Sequence, residues 1–160
     1  MAQVYVSAGS NIDRKKNIRL AIKAMEKDFG PLQLSQIYET QSVGFSGHDF
    51  YNLVIGFHTR MNPHRIVEAL HDIEDAQGRK RLDSKFNDRT LDLDLLTYDN
   101  QILDQKGLVL PRDEILKYAF VLGPLAELAG DEIHPVENKT YQQLWDVFDD
   151  SDQPMTPVRY

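Results

Sequence analysis

Hydrophobic residues between positions 3 and 98 follow two periods in turn, and the order of those periods restricts the fold more than any other feature of the chain. Residues 3–8 alternate as a strand and stop at Gly9-Ser10-Asn11. Residues 14–29 carry a helical stripe of Ile18, Ile22, Met25 and Phe29, with Asp13 placed to cap its start and Gly30-Pro31 to end it. Residues 32–38 and 50–59 read as strands, and the Gly- and Ser-containing segment 40–48 between them as a loop. Asn62-Pro63 opens a second helix, since Pro at the first helical position lacks only an N–H that would go unused. Ile66, Val67, Leu70 and Ile73 are its buried stripe, and Gly78 ends it. A polar loop at 79–89 then leads into an alternating strand at 90–98.

Strand, helix, strand, strand, helix, strand is the order of a ferredoxin-like α+β sandwich, βαββαβ, with helices packed on an antiparallel sheet. The rest of the chain is expected to add a helical and hairpin extension at the C-terminal end. Asp99-Asn100 is a turn after which residues 101–103 could pair back as a hairpin, and 113–129 is helical with an interruption near Gly123-Pro124. Thr140 with Gln143 forms a capping-box start for a last helix through Phe148. The acidic, Pro-containing tail 149–160 is expected to be frayed. With 160 residues and neither a repeat nor a low-complexity linker, one domain over 1–160 is expected.

Composition narrows the chemistry. The chain has no Cys, which removes disulfides, a thiolate nucleophile and any Cys-ligated metal. A net charge of −7 opposes general binding to nucleic acid, whose affinity rests on phosphate neutralisation, but leaves room for a local basic patch. No apolar run approaches the roughly 18 residues of a membrane helix, and the N-terminal residues lack a signal-peptide pattern. A cytoplasmic location and no membrane or nucleic-acid partner are therefore expected; a monomeric state is a separate expectation that composition does not supply.

Three clusters could carry chemistry. Asp92 and Asp94 lie two apart on a strand, so both carboxylates point to one face, roughly 6.5–7 Å apart. A pair of magnesium ions about 3.5–4 Å apart could share them, and the competing reading is the solvent face of a half-buried strand. The loop before them holds Arg79, Lys80, Arg81, Lys85 and Arg89 against Asp83 and Asp88. Such a basic loop suits phosphate oxygens or is simply a solvated charged loop. Metal-binding carboxylates beside arginines are what phosphoryl-type transfer needs. Phe50 and Asn52 share one face of a strand and Phe120 lies in an apolar run; rings for stacking with an amide between them could hold a flat heterocycle, though core packing is the commoner use of such rings. There is no P-loop motif, Gly9-Ser10-Asn11 is too short for a dinucleotide fingerprint and reads as a turn, and the five His show no metal-ligand spacing.

Taken together these residues resemble the 6-hydroxymethyl-7,8-dihydropterin pyrophosphokinase family. The resemblance covers roughly residues 4–135 and rests on Gly9-Ser10-Asn11, Tyr38-x-Thr40 with Gly44, Asn52, Ile73-Glu74-x-x-Gln77-Gly78-Arg79-x-Arg81, Arg89-Thr90-Leu91-Asp92-Leu93-Asp94 and Phe120-Val121-Leu122-x-Pro124-Leu125. It implies transfer of diphosphate from ATP, as co-substrate, to the hydroxymethyl oxygen of the reduced pterin, giving pterin diphosphate and AMP in folate biosynthesis. It further implies that Asp92 and Asp94 bind two magnesium ions and that Arg79 and Arg89 act on the transferring phosphates. Thr40, Val43, Phe50, Asn52 and Phe120 would hold the pterin, and Glu74, Arg79, Arg81, Arg89 and Arg112 the nucleotide.

The chain departs from the family pattern at several positions. Gln41-Ser42 stands where a Pro pair is frequent, Phe50 for a Tyr, Phe86 for a Trp and Asp88 for a Pro. Arg112 replaces a nucleotide-contacting His, and Tyr118 replaces an Arg. These last two changes fall on the nucleotide side, so a second reading is a diverged pterin binder with altered donor use or little activity.

Overall fold

The structure is a computed structural model and describes residues 1–41, 49–78 and 91–159. Strand β1 (Ala2–Ser10) leads into helix α1 (Arg14–Phe29), followed by β2 (Gln33–Leu34), β3 (Ile37–Thr40), β4 (Phe50–Thr59) and helix α2 (Pro63–Ala76). Strand β5 (Asp92–Tyr98) completes the βαββαβ core, and β6 (Leu103–Gln105) and β7 (Leu108–Leu110) follow as a separate hairpin. A 3-10 turn (Asp113–Leu116), helices α3 (Ala119–Ala129) and α4 (Tyr141–Asp146) and strand β8 (Met155–Val158) end the described chain. The main sheet runs β5-β1-β4-β3-β8, with β2 also on β4, and each pairing is antiparallel. Among the described residues no helix is long and apolar enough to cross a membrane.

Alternation along the central strands feeds two cores. Val4, Val6 and Ala8 of β1, Leu53, Ile55 and Phe57 of β4, and Leu93 and Leu95 of β5 pack with the stripes of α1 and α2. Phe29 of α1 stacks on Phe57 with ring centres 4.3 Å apart. On the opposite face Tyr5, Val54 and Leu96 pack with residues of α3 and α4. The central sheet is thus covered on both sides, which is why β1 is buried along most of its length. Burying a side chain such as Ile18 or Met25, both essentially inaccessible, contributes about 1.5–3 kcal/mol.

Five local expectations are corrected. Asp13 does not cap α1 through its side chain; it adopts a left-handed backbone, φ 43°, and its carbonyl accepts from Asn17 N–H at 2.9 Å. Asp tolerates that region better than most residues. The single strand at 32–38 is broken at Ser35-Gln36, where the Ser35 hydroxyl accepts the Val54 N–H at 2.9 Å and the register on β4 shifts by one residue. Residues 101–103 do not pair with β5; Lys106-Gly107 makes the hairpin turn instead, with Gly107 at φ 81°. The helical stretch 113–129 breaks at Lys117-Tyr118 rather than at Gly123-Pro124, which lie inside α3.

The tail is the largest correction. It is not frayed up to residue 158: β8 pairs with β3 from Ile37↔Val158 to Thr40↔Met155. The physical reason is that β3 would otherwise present an open edge of unpaired backbone groups. A Cβ on Gly123 would lie 2.9 Å from Met155 Cε and 3.1 Å from the Trp145 ring, so only glycine leaves room for the tail and α4 to close on α3 here.

Candidate active site

The register of the sheet gathers the candidate residues on the face turned toward α3. Directly opposed residues of an antiparallel sheet share a face. Asp92, Gly9, Asn52 and Tyr38 oppose one another in a row across β5, β1, β4 and β3. Asp94, Ser7 and Val54 form the next row, and Thr40 opposes Phe50 on the other side of the first. The expected pterin residues Thr40, Phe50 and Asn52 and the expected metal residues Asp92 and Asp94 therefore face the same way. Strand spacing puts Asp92 about 10 Å from Asn52, with β1 between them.

Gly9 makes that row fit. A Cβ at this position would lie 2.7 Å from Asn52 Oδ1, so the amide rests directly over the glycine backbone. Asn52 Nδ2 donates to Thr40 Oγ1 at 2.7 Å, and both side chains are buried. The amide is thus locked by a hydroxyl on one strand and by an absent side chain on another.

Among the described residues, the acidic end of the row holds more carboxylate than cation. Asp92 and Asp94 are half-buried. The Asp94 carboxyl is pushed up to about 7, first by burial and then by the charge of Asp92; Arg112 opposes this, while Glu74 and Glu114 add to it. Arg112 Nη2 lies 3.4 Å from Asp94 Oδ1, and its Nε donates to Glu114. Burial pulls the Arg112 guanidinium down, but Asp94 and Glu114 raise its pKa above the ordinary value overall. Its backbone N–H donates to Leu96 O at 2.9 Å, which holds it beside β5.

Those donors fit magnesium. Among the described residues no group of three or more His, Cys, Asp or Glu could hold a metal. A pair is nevertheless the ordinary protein contribution for magnesium, which keeps several waters and completes its shell with substrate phosphate. The oxygen-only pair, one member of which is pushed up to about 7 by burial and then by its neighbour's charge, would accept a hard divalent cation.

Glu74 occupies a different kind of position. It is almost wholly buried, and its Oε2 accepts the Leu93 N–H at 2.7 Å. Since β5 is at the sheet edge, α2 uses this carboxylate to satisfy an edge donor between the two aspartates. Phe120 sits in the first turn of α3 and stacks on Tyr118 with ring centres 5.0 Å apart. A pocket of about 320 Å³ opens there, lined by Thr40, Gln41, Tyr118 and Phe120 and by residues 152–155 of the tail. Phe50 and Asn52 do not line it; Phe50 instead comes within 3.6 Å of the Gly9 Cβ position. Val43, Arg79, Arg81 and Arg89 lie outside the described residues. Sequence reasoning missed the steric role of Gly9, the Arg112–Asp94 ion pair and the tail residues; only the glycine carried a local signal, and it read as a turn.

The fold is that of a ferredoxin-like domain, and one face of its sheet carries a locked amide two strands away from a carboxylate pair. A solved structure of HPPK-DHPS in complex with substrates superposes with a TM-score of 0.74 at 12% identity, over 94% of this chain and 44% of that one. The wild-type HPPK-DHPS of Plasmodium falciparum with SDX-DHP gives 0.70 at 15%, over 91% and 43%. In sequence, the 2-amino-4-hydroxy-6-hydroxymethyldihydropteridine pyrophosphokinase of Haemophilus influenzae is 32% identical over 84% of this chain and 86% of its own length. The protein of the same name from Pseudomonas aeruginosa is 37% identical over 81% and 82%. The chain spans only 22% of the folic acid synthesis protein fol1 of Pneumocystis carinii, to which it is 34% identical. Residues 5–130 match the family model for 7,8-dihydro-6-hydroxymethylpterin-pyrophosphokinase, and the chain belongs to that family.

Proposed function

We propose that this chain catalyses the transfer of diphosphate from ATP to the hydroxymethyl oxygen of 6-hydroxymethyl-7,8-dihydropterin in folate synthesis. The observation that supports the reading is the row Asp92–Gly9–Asn52–Tyr38 with Asp94 in the row beside it, so that the Asn52 amide and both carboxylates share one sheet face. The acceptor oxygen forms a bond to the β-phosphorus of ATP, the bond from that phosphorus to the α,β-bridging oxygen breaks, AMP leaves and the hydroxyl proton is lost.

Asn52, held by Thr40, presents its amide to the edge of the pterin ring, and Phe50 and Phe120 supply apolar faces. Asp92 and Asp94 would hold magnesium, two ions being proposed. Magnesium supplies neutralisation of the phosphate charge and polarisation of the acceptor hydroxyl. Arg79, Arg89 and Arg81 follow from the family motif as phosphate and nucleotide partners, and Arg112 would reach the nucleotide once Asp94 engages a cation instead of the guanidinium. Val43 would contact the pterin, and Glu74 supports the nucleotide side by fixing β5. Localisation in the cytoplasm as a monomer belongs to the same reading.

Turnover tests it. Asp92→Ala and Asp94→Ala are expected to lower AMP release by about 10³-fold or more with the fold retained. Turnover like that of the unmodified chain in both variants would overturn the metal assignment.

A further inference from the structure

Residues 149–155 carry a contact set that the reaction described above leaves unexplained. Gln153 Oε1 accepts the Ala119 N–H at 2.8 Å, and its Nε2 donates to Lys117 O at 3.1 Å. One side chain thus bonds both peptide groups that bracket the entry to α3, and the next residue is Phe120. Within that turn the Val121 and Leu122 N–H groups both donate to Tyr118 O, at 3.1 and 3.0 Å, while the Ala119 N–H goes to the tail. Helix N-termini leave their first N–H groups without internal partners, and Pro124 has no N–H to give to the carbonyl of Phe120.

Gln153 is itself held. Its N–H donates to Asp150 O at 2.9 Å, and Asp149 Oδ1 accepts from both the N–H and the hydroxyl of Ser151. Two residues on, Met155 is fixed by its pairing with Thr40 and by its seat on Gly123. The segment between these anchors forms one side of the pocket of about 320 Å³ whose other side is Thr40, Tyr118 and Phe120. The tail therefore touches the pocket in its own right and also fixes the aromatic residue across it.

We infer that residues 152–155 wall the Thr40 and Phe120 side of the pterin site and that Gln153 is a positioning residue that sets Phe120; this rests on the pterin-transfer reading. The two bonds it makes are to backbone, so their loss frees the α3 entry, and the side chain that is removed also lines the pocket. The effect should fall on the pterin and spare the nucleotide.

The test is pterin binding to the full chain by calorimetry, with magnesium and a non-hydrolysable ATP analogue present. Gln153→Ala should weaken pterin binding about tenfold, the loss of two ordinary hydrogen bonds. The affinity for the analogue, measured separately, should stay within about twofold. Gln153→Glu keeps the acceptor for Ala119 N–H and should fall between the two; it also serves if Gln153→Ala proves too unstable to measure. Pterin binding unchanged in both variants, or pterin and analogue affinities falling together, would overturn the inference while leaving the transfer reading intact. Failure of the transfer reading looks different: the unmodified chain would bind pterin yet release no AMP, or would bind no pterin, and the latter would overturn both.

Discussion

Replacing Asp94 by Asn should stabilise the protein at alkaline pH while abolishing its chemistry. Asp94 is raised from 3.8 to about 7 by burial and by Asp92. A carboxyl whose folded pKa is raised contributes stability that is fully present below about pH 4 and is lost as pH rises through 7. Above that pH the fold must hold a charge it disfavours. At about 1.4 kcal/mol per pKa unit, a shift of roughly three units costs on the order of 4 kcal/mol by pH 8. The side chain is still 28% exposed, so water relieves part of this, and a net gain of about 2 kcal/mol is expected for Asp94→Asn. In a domain of this size that is a rise in melting temperature of about 4–8 °C. The assay is thermal unfolding of both proteins with a chelator at pH 4 and pH 8. The difference should be near zero at pH 4 and appear by pH 8. Added magnesium should raise the melting temperature of the unmodified protein but not of the variant. An Asp94→Asn protein that melts at or below the unmodified one at pH 8 would refute the claim that burial and the charge of Asp92 disfavour the ionised Asp94.

Two further substitutions probe the same face. Gly9→Ala places a methyl 2.7 Å from Asn52 Oδ1, so calorimetry should show pterin affinity reduced at least tenfold and denaturant unfolding a stability loss of about 1–3 kcal/mol; unchanged binding would mean that the amide position is not what the pterin reads. Glu74→Ala strands the buried Leu93 N–H and should cost about 1–3 kcal/mol in denaturant unfolding, whereas Glu74→Gln, which keeps an acceptor, should recover most of it.

Elements whose signals are local were readable from the residues. Helix α1 and strand β4 have the bounds that Gly30, the strand period and the aromatic start at Phe50 indicate. The shared face of Asp92 and Asp94 follows from alternation alone. What was not readable depends on residues distant in the chain. Gly9 reads as a turn because its need is created by Asn52, which reaches it only through the register of β1 on β4. The tail reads as frayed because it is acidic, while its stability comes from the open edge of β3 and the gap above Gly123. Pro124 signals a break in α3, yet the chain breaks earlier, at Lys117-Tyr118, where the tail supplies the bonds. Arg112 was legible as a cation near the nucleotide side, but its pairing with Asp94 and Glu114 depends on the β5 backbone that anchors it.

The most direct test of the central claim is product identity. The protein is mixed with magnesium, ATP and 6-hydroxymethyl-7,8-dihydropterin, and the products are separated and weighed by chromatography with mass detection. Diphosphate transfer from the face that joins Asn52 to Asp92 and Asp94 predicts pterin diphosphate and AMP in equal amounts. ADP with a pterin monophosphate, or pterin bound with no nucleotide consumed, would contradict it.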